Sequence, residues 1–252
     1  MRTIAIVNQK GGVGKTTTTV NLAHALALKG YRVTAIDLDP QGHLGASFGI
    51  QQRGMATGID RVLLDEQSIE EQIIVVRDGL QFIPSGNGLG RMEQLVNGGA
   101  KRGMYLRNAL SGKFKDQDFI LIDCPPASSL LLVNALFCAG EVLVPVAGDY
   151  LSLQGLSYLI ATFKNFESKL KHEFNEWIVL TRYHKQRRLP DEIMQKLKQY
   201  FPQRVLRTRI RESAPLAECP GFGKTIFEYR NRSSGADDYR ALARELSMKR
   251  VA

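Results

Sequence analysis

The sequence predicts an α/β fold in three layers, a mostly parallel sheet with helices on both faces. Two observations carry this. Apolar, β-branched runs of strand length recur along the 252 residues, at 3–7 (TIAIV), 32–36 (RVTAI), 119–122 (FILI), 142–146 (VLVPV) and 177–181 (WIVLT). Longer helix-like segments separate them, and strands that alternate with helices fold into a parallel sheet buried on both sides. A 44% apolar composition is enough to fill the core of one good-sized domain. No linker, repeat or low-complexity tract interrupts the pattern, so residues 1–252 read as a single domain.

Helices are expected at about 15–29, 129–138, 152–171, 190–200 and 237–248. Residues 49–72 and 84–103 are richer in Gly, Gln and charge and read as loops and short helices at the sheet edge.

The first strand runs directly into Asn8-Gln9-Lys10-Gly11-Gly12-Val13-Gly14-Lys15-Thr16-Thr17, and a helix rich in Ala and Leu follows. Glycines between a strand and a helix let backbone N–H groups converge on phosphate oxygens, and the helix N-terminus adds its positive end. A chance glycine turn would not also supply the lysine and threonine of a P-loop. The fold is therefore expected to be of the P-loop NTPase type, with Gly11, Gly12, Val13, Gly14, Lys15, Thr16 and Thr17 around the phosphates. Lys15 would bridge the β- and γ-phosphates, and the Thr16 hydroxyl would ligate Mg²⁺.

Acids fall at the carboxyl ends of two further strands, in Asp37-Leu38-Asp39-Pro40-Gln41-Gly42 and Asp123-Cys124-Pro125-Pro126. Open α/β sheets bind ligands at that end. Asp123 fits a Walker B carboxylate holding Mg²⁺ through water, and Asp39 is the candidate to orient or deprotonate the attacking water, with Asp37 in support. The plain alternative, strand-terminal Asp turns, accounts for the residue type but not for the coincidence of the two sites.

KGGVGKTT, DLDPQG and DCPP in this order resemble the ParA/MinD family of deviant Walker ATPases. Residues 216–239 (LAECPGFGKTIFEYRNRSSGADDY) are similar to the LSEAPSFGKP and RSRGAEAY stretches of ParA-type, Soj-like members, so the resemblance spans nearly the whole chain. It implies that ATP is sandwiched in a homodimer and that Lys10, which an ordinary P-loop does not need, reaches the partner's phosphates as an arginine finger does. It further implies nucleotide contacts at Thr181 and Arg182. The cofactors are then ATP and Mg²⁺, and Lys10, Lys15 and Asp39 are the catalytic set.

Of the net charge of +9, residues 182–211 carry +8. Such a segment suits a polyanion, although a merely solvated basic face would look the same from charge alone. ParA-like members bind nucleoid DNA and MinD-like members bind membrane through a C-terminal amphipathic helix. The tail here has Leu242 and Leu246 to pack on the domain but no bulky lipid-anchoring face, so membrane is the weaker choice. Non-specific double-stranded DNA is the expected partner, with Arg187, Arg188, Arg207, Arg209 and Arg211 as candidate contacts. Two departures bear on this. Where the family reads I-P-R-N-V-R, this chain has Ile210-Arg211-Glu212-Ser213-Ala214-Pro215, placing Arg211 near the base pocket and Pro215 at one expected DNA contact.

The resemblance implies positioning or segregation of a cargo (plasmid, chromosome or protein assembly), released when a ParB-like or cargo-adaptor protein stimulates hydrolysis. Because the sequence starts at the first strand, an N-terminal helix-turn-helix domain and operator binding are not expected. Cys124, Cys138 and Cys219 lack metal-ligand pairing and suit a reducing cytosol. An iron–sulfur relative would need two convincingly placed cysteines, and a small-molecule ligase of this fold would not need Lys10 or the localised charge. No signal peptide or membrane span is read, so a cytoplasmic, nucleoid-associated protein is expected.

Overall fold

The computed structural model describes residues 1–51, 56–94, 102–126, 129–170, 172–187 and 189–249. Its strands are β1 (Arg2–Ile6), β2 (Val33–Asp37), β3 (Ile74–Arg77), β4 (Leu80–Ile83), β5 (Phe119–Asp123), β6 (Glu141–Ala147), β7 (Asn175–Tyr183) and β8 (Val205–Arg211). The helices are α1 (Lys15–Ala27), α2 (His43–Ser47), α3 (Ile59–Asp65), α4 (Arg91–Gln94), α5 (Tyr105–Leu110), α6 (Leu130–Cys138), α7 (Tyr150–Leu170), α8 (Leu189–Tyr200), α9 (Ala214–Glu218), α10 (Ile226–Tyr229) and α11 (Ser234–Met248).

The strands form one sheet in the order β3-β4-β2-β5-β1-β6-β7-β8. Every neighbouring pair is parallel except β3 with β4. Side chains alternate between its faces. Ile4 and Ile6 of β1 join Val33, Leu22 and Leu26 under α1 and α11, while Ala5 and Val7 join Ile120, Ile122, Leu131 and Phe163 under α6 and α7. Two apolar cores thus sandwich the sheet, and the three-layer expectation holds.

Three strands escaped the sequence reading. The β3/β4 hairpin lies at one edge, turning at Asp78-Gly79 with Gly79 at φ +67°, the conformation a tight hairpin asks of glycine. At the other edge, β8 hides its apolar alternation behind arginines: Leu206 and Ile210 enter the core while Arg207 and Arg211 face solvent. Charged side chains on an edge strand discourage pairing with another sheet. The C-terminal helix begins at Ser234, earlier than the periodicity suggests, because Ser233 caps it by accepting from the Ala236 N–H at 3.3 Å.

Parallel strands that all run one way deliver their C-terminal ends to one rim. The loops after β1, β2, β5, β6 and β7 gather there.

Candidate active site

The loop between β1 and α1 is shaped by two left-handed glycines, Gly12 at φ +73° and Gly14 at φ +90°, the latter being the N-cap of α1. Neighbours pin it from both sides. Asn8 donates its side-chain N–H to the Pro145 carbonyl at 2.8 Å and accepts the Lys10 N–H at 2.9 Å. The Thr181 hydroxyl, from β7, donates to the Val13 carbonyl at 2.7 Å. Thr181 therefore meets the loop backbone, a positioning role that its expected nucleotide contact did not foresee. Arg182 extends to the Gly12 carbonyl at 3.4 Å.

Parallel pairing of β2 with β5 sets Asp37 opposite Asp123, both buried. Asp123 accepts from the hydroxyls of Thr16 at 2.7 Å and Thr19 at 3.0 Å. Thr19 was missed in the sequence. It lies one turn on from Thr16 in the KTTTT run, on the same helix face, and that spacing was its available signal. Asp37 accepts the Asp39 N–H through Oδ1 at 3.0 Å, and its Oδ2 has no hydrogen-bond partner among the described residues. Asp39, in turn, accepts the Gln41 N–H at 3.0 Å, which closes the turn after β2.

Burial dominates the electrostatics. It lowers the Lys15 ammonium pKa, opposed by the charges of Asp123 and Asp39. It raises Asp123 to about 6 against the hydroxyl donors, and burial with the Asp123 charge raises Asp37 well above the carboxylate range. Two buried carboxylates thus stand side by side, with the Lys15 ammonium partly offsetting the charge of Asp123. Among the described residues no group of three or more His, Cys, Asp or Glu forms an all-protein metal cage. Mg²⁺ keeps water and phosphate oxygens in its shell and takes few protein ligands. Thr16, Asp39 and Asp123 can hold it, directly or through water, and bound there it would neutralise charge on the transferring phosphoryl group.

The chain's own residues supply the rest. Lys15, 8% exposed, brings a desolvated cation to the phosphate loop. Asp39, at the rim, is the carboxylate available to orient water. Beside the loop opens a pocket of about 360 Å³ lined by Gly14, Thr17, Ile210, Leu216 and Tyr239, with an apolar wall suited to a nucleobase. Arg211 lines the same pocket, as its replacement of the family proline suggests.

The Lys10 ammonium lies 2.6 Å from the Asp149 carboxylate that follows β6. Asp149 was not singled out in the sequence, and a lone Asp after a strand gives no signal.

The arginines separate. Arg187 is exposed in the turn after β7, where its N–H bonds the His184 carbonyl at 3.0 Å. Arg188 lies outside the described residues. Arg207, Arg209 and Arg211 alternate along β8, and two of them are engaged by acids. Arg209 is paired with Asp191 at 2.7 Å and covers the Tyr183 ring, and Arg211 is paired with Asp238 of α11 at 2.6 Å. Asp238 lies outside the basic segment, whereas Asp191 is one of its own two acids, and of the three only Arg207 has no side-chain ion pair among the described residues.

Tyr239, Leu242 and Leu246 of α11 are buried against α1 and β8, as expected of the tail. Among the described residues no helix is long and apolar enough to cross a membrane.

Comparison with known proteins extends this geometry. Residues 1–176 match the AAA domain family. The chain is 39% identical over 252 residues to the chromosome partitioning protein ParA of Myxococcus xanthus, covering 99% of this chain and 88% of that protein. It is also 39% identical to the chromosome-partitioning ATPase Soj of Thermus thermophilus, covering 100% of this chain and 97% of the relative. The fold is similar to a cobyrinic acid a,c-diamide synthase from Mycobacterium smegmatis with bound ADP and magnesium, with a TM-score of 0.83 and 27% identity, covering 98% of this chain and 94% of that one. On this full-length likeness the chain belongs to the ParA/Soj family of partitioning ATPases, and it hydrolyses ATP.

Proposed function

We propose that residues 1–252 act as one ATPase domain which ATP joins into a sandwich homodimer. The dimer holds double-stranded DNA without sequence preference and positions or segregates a cargo until a ParB-like or cargo-adaptor protein stimulates hydrolysis. The observation that carries this reading is the division between two lysines of one loop. Lys15 is buried beside Asp123 and Asp39, whereas the Lys10 side chain is a third exposed and paired with Asp149. A cation brought to the phosphates only by a partner subunit couples hydrolysis to association.

DNA is favoured over membrane because α11 has its apolar face packed on the domain and Arg187 stands exposed. The protein then works in the cytoplasm, on the nucleoid. Lys10→Ala tests the sandwich: turnover and ATP-dependent dimerisation, read by sedimentation velocity, should each fall at least about tenfold while ATP binding persists. Unchanged values for both would overturn it. ATP-loaded protein should bind arbitrary duplexes with an affinity that drops steeply as salt rises. Equal binding with ADP or without nucleotide would overturn the switch.

A further inference from the structure

The pocket beside the P-loop has an apolar wall and a charged mouth. Three charged side chains line it: Arg182, Arg211 and Glu212. Arg211 is engaged, since its Nε and Nη2 both donate to the Asp238 carboxylate. The other two face each other, with Arg182 Nη2 3.4 Å from Glu212 Oε1.

Their placement is built into the backbone. The β7/β8 register shifts between Leu180 and Tyr183, and within that interval Arg182 takes φ +50°, a left-handed conformation that costs a residue with a Cβ about 1 kcal/mol or more. Strain of this kind persists where the surrounding structure fixes it. Here the shift turns Arg182 over the Gly12 carbonyl, across the pocket mouth. Glu212 is fixed from the other side, its N–H donating to the Tyr183 carbonyl at 3.0 Å. The pair itself is long, and its side chains are 57% and 42% exposed, so it is readily exchanged for another partner.

A nucleobase in this pocket would stack its faces on the apolar wall and turn its polar edge to the mouth. Adenine offers one exocyclic donor on that edge, the 6-amino group, and a carboxylate is an acceptor only. Glu212 is the acidic side chain that lines the pocket. We infer that Glu212 reads the base: its carboxylate exchanges the Arg182 guanidinium for the N–H of the adenine 6-amino group. Arg182 is the positioning residue that holds the carboxylate at the mouth in the nucleotide-free protein. The inference rests on this pocket being the nucleotide's.

The test compares ATP with purine riboside triphosphate, which lacks only the 6-amino group, by displacement of a fluorescent nucleotide in the presence of Mg²⁺. The intact chain should prefer ATP by about tenfold, the usual scale for a hydrogen bond to a charged group that is partly solvated. In Glu212→Ala the preference should shrink to within about twofold through loss of ATP affinity alone, and Glu212→Gln, whose amide oxygen still accepts, should restore part of it. A preference that survives in Glu212→Ala, or equal weakening of both nucleotides, would overturn the assignment. If neither nucleotide displaces the probe from the intact chain, the nucleotide pocket itself is misplaced and the inference falls with it.

Discussion

The Lys10 ammonium and the Asp149 carboxylate form an ion pair within one chain at 2.6 Å, joining the P-loop to the loop after β6. With side chains 33% and 45% exposed, such a pair is worth about 0–1 kcal/mol. It can orient Lys10 but cannot hold it against a partner's phosphates. Asp149→Asn is therefore expected to leave thermal stability nearly unchanged and to shift the concentration for ATP-dependent dimerisation down by no more than about fivefold. Sedimentation velocity across a concentration series measures this. A weaker dimer would show instead that Asp149 serves the associated state.

Asp37 shows the cost of setting two buried carboxylates opposite each other. Both Asp37 and Asp123 are raised by burial, Asp123 from 3.8 to about 6. Between roughly pH 4 and 6 the folded, nucleotide-free chain then binds more protons than the unfolded chain, so stability falls as pH rises through that window and stays lower above it. Asp37→Asn removes one of the two facing charges. Urea unfolding at pH 8 should show the variant more stable by roughly 1–3 kcal/mol, with a flatter pH profile, while ATP turnover falls. A less stable variant at pH 8 would contradict the electrostatic account.

How much of this was legible varies with the physics of each feature. The P-loop, Asp39 and Asp123 could be read because phosphate and Mg²⁺ chemistry fixes both residue type and position after a strand. Strand β8 could not, because its core-facing Leu206 and Ile210 are diluted by arginines that edge position and ion pairing require. The same arginines looked like a DNA surface because Glu176, Glu212 and Asp238, which neutralise Arg204, Arg182 and Arg211, lie outside the basic segment. Charge counted along a chain ignores such long-range partners. Asn8 and Asp149 were equally silent, since a single polar residue announces its role only through what the fold sets beside it.

That separation gives a contrast at the proposed DNA surface. Arg187→Glu should weaken binding of ATP-loaded protein to an arbitrary duplex several-fold and lower the salt slope by about one for each phosphate that Arg187 neutralises. Arg211→Ala should act differently, because it leaves the nearly buried Asp238 without its cation. Its expected effects are a loss of roughly 1–3 kcal/mol of stability and altered nucleotide affinity, with the salt slope kept. Filter binding from low to moderate salt, with thermal melts alongside, distinguishes the two. A reduced slope in Arg211→Ala would return Arg211 to the DNA interface.

At the rim opposite the nucleotide site, Glu141 holds four elements together. Its carboxylate is 1% exposed and accepts from Arg2 Nε and Nη2, each at 2.7 Å, and from the Trp177 indole N–H at 2.7 Å. Arg2 also donates to the Leu246 carbonyl at 2.8 Å and lies over the Phe119 ring. The network therefore ties β1, β6 and β7 to the end of α11, which covers α1 from behind. Removing the buried acceptor takes the carboxylate from the Arg2 Nε and Nη2 groups and from the Trp177 indole N–H, so Glu141→Ala is expected to cost about 3–5 kcal/mol. Glu141→Gln keeps one acceptor and should cost less. Trp177 is the sole tryptophan of the chain and donates to Glu141, so its emission reports the change directly. Because the network stands at the far end of the strands from Lys15 and Asp123, ATP affinity of the folded variant should stay within about twofold of the parent. A large loss of affinity at full folding would mean that the two ends of the sheet are coupled.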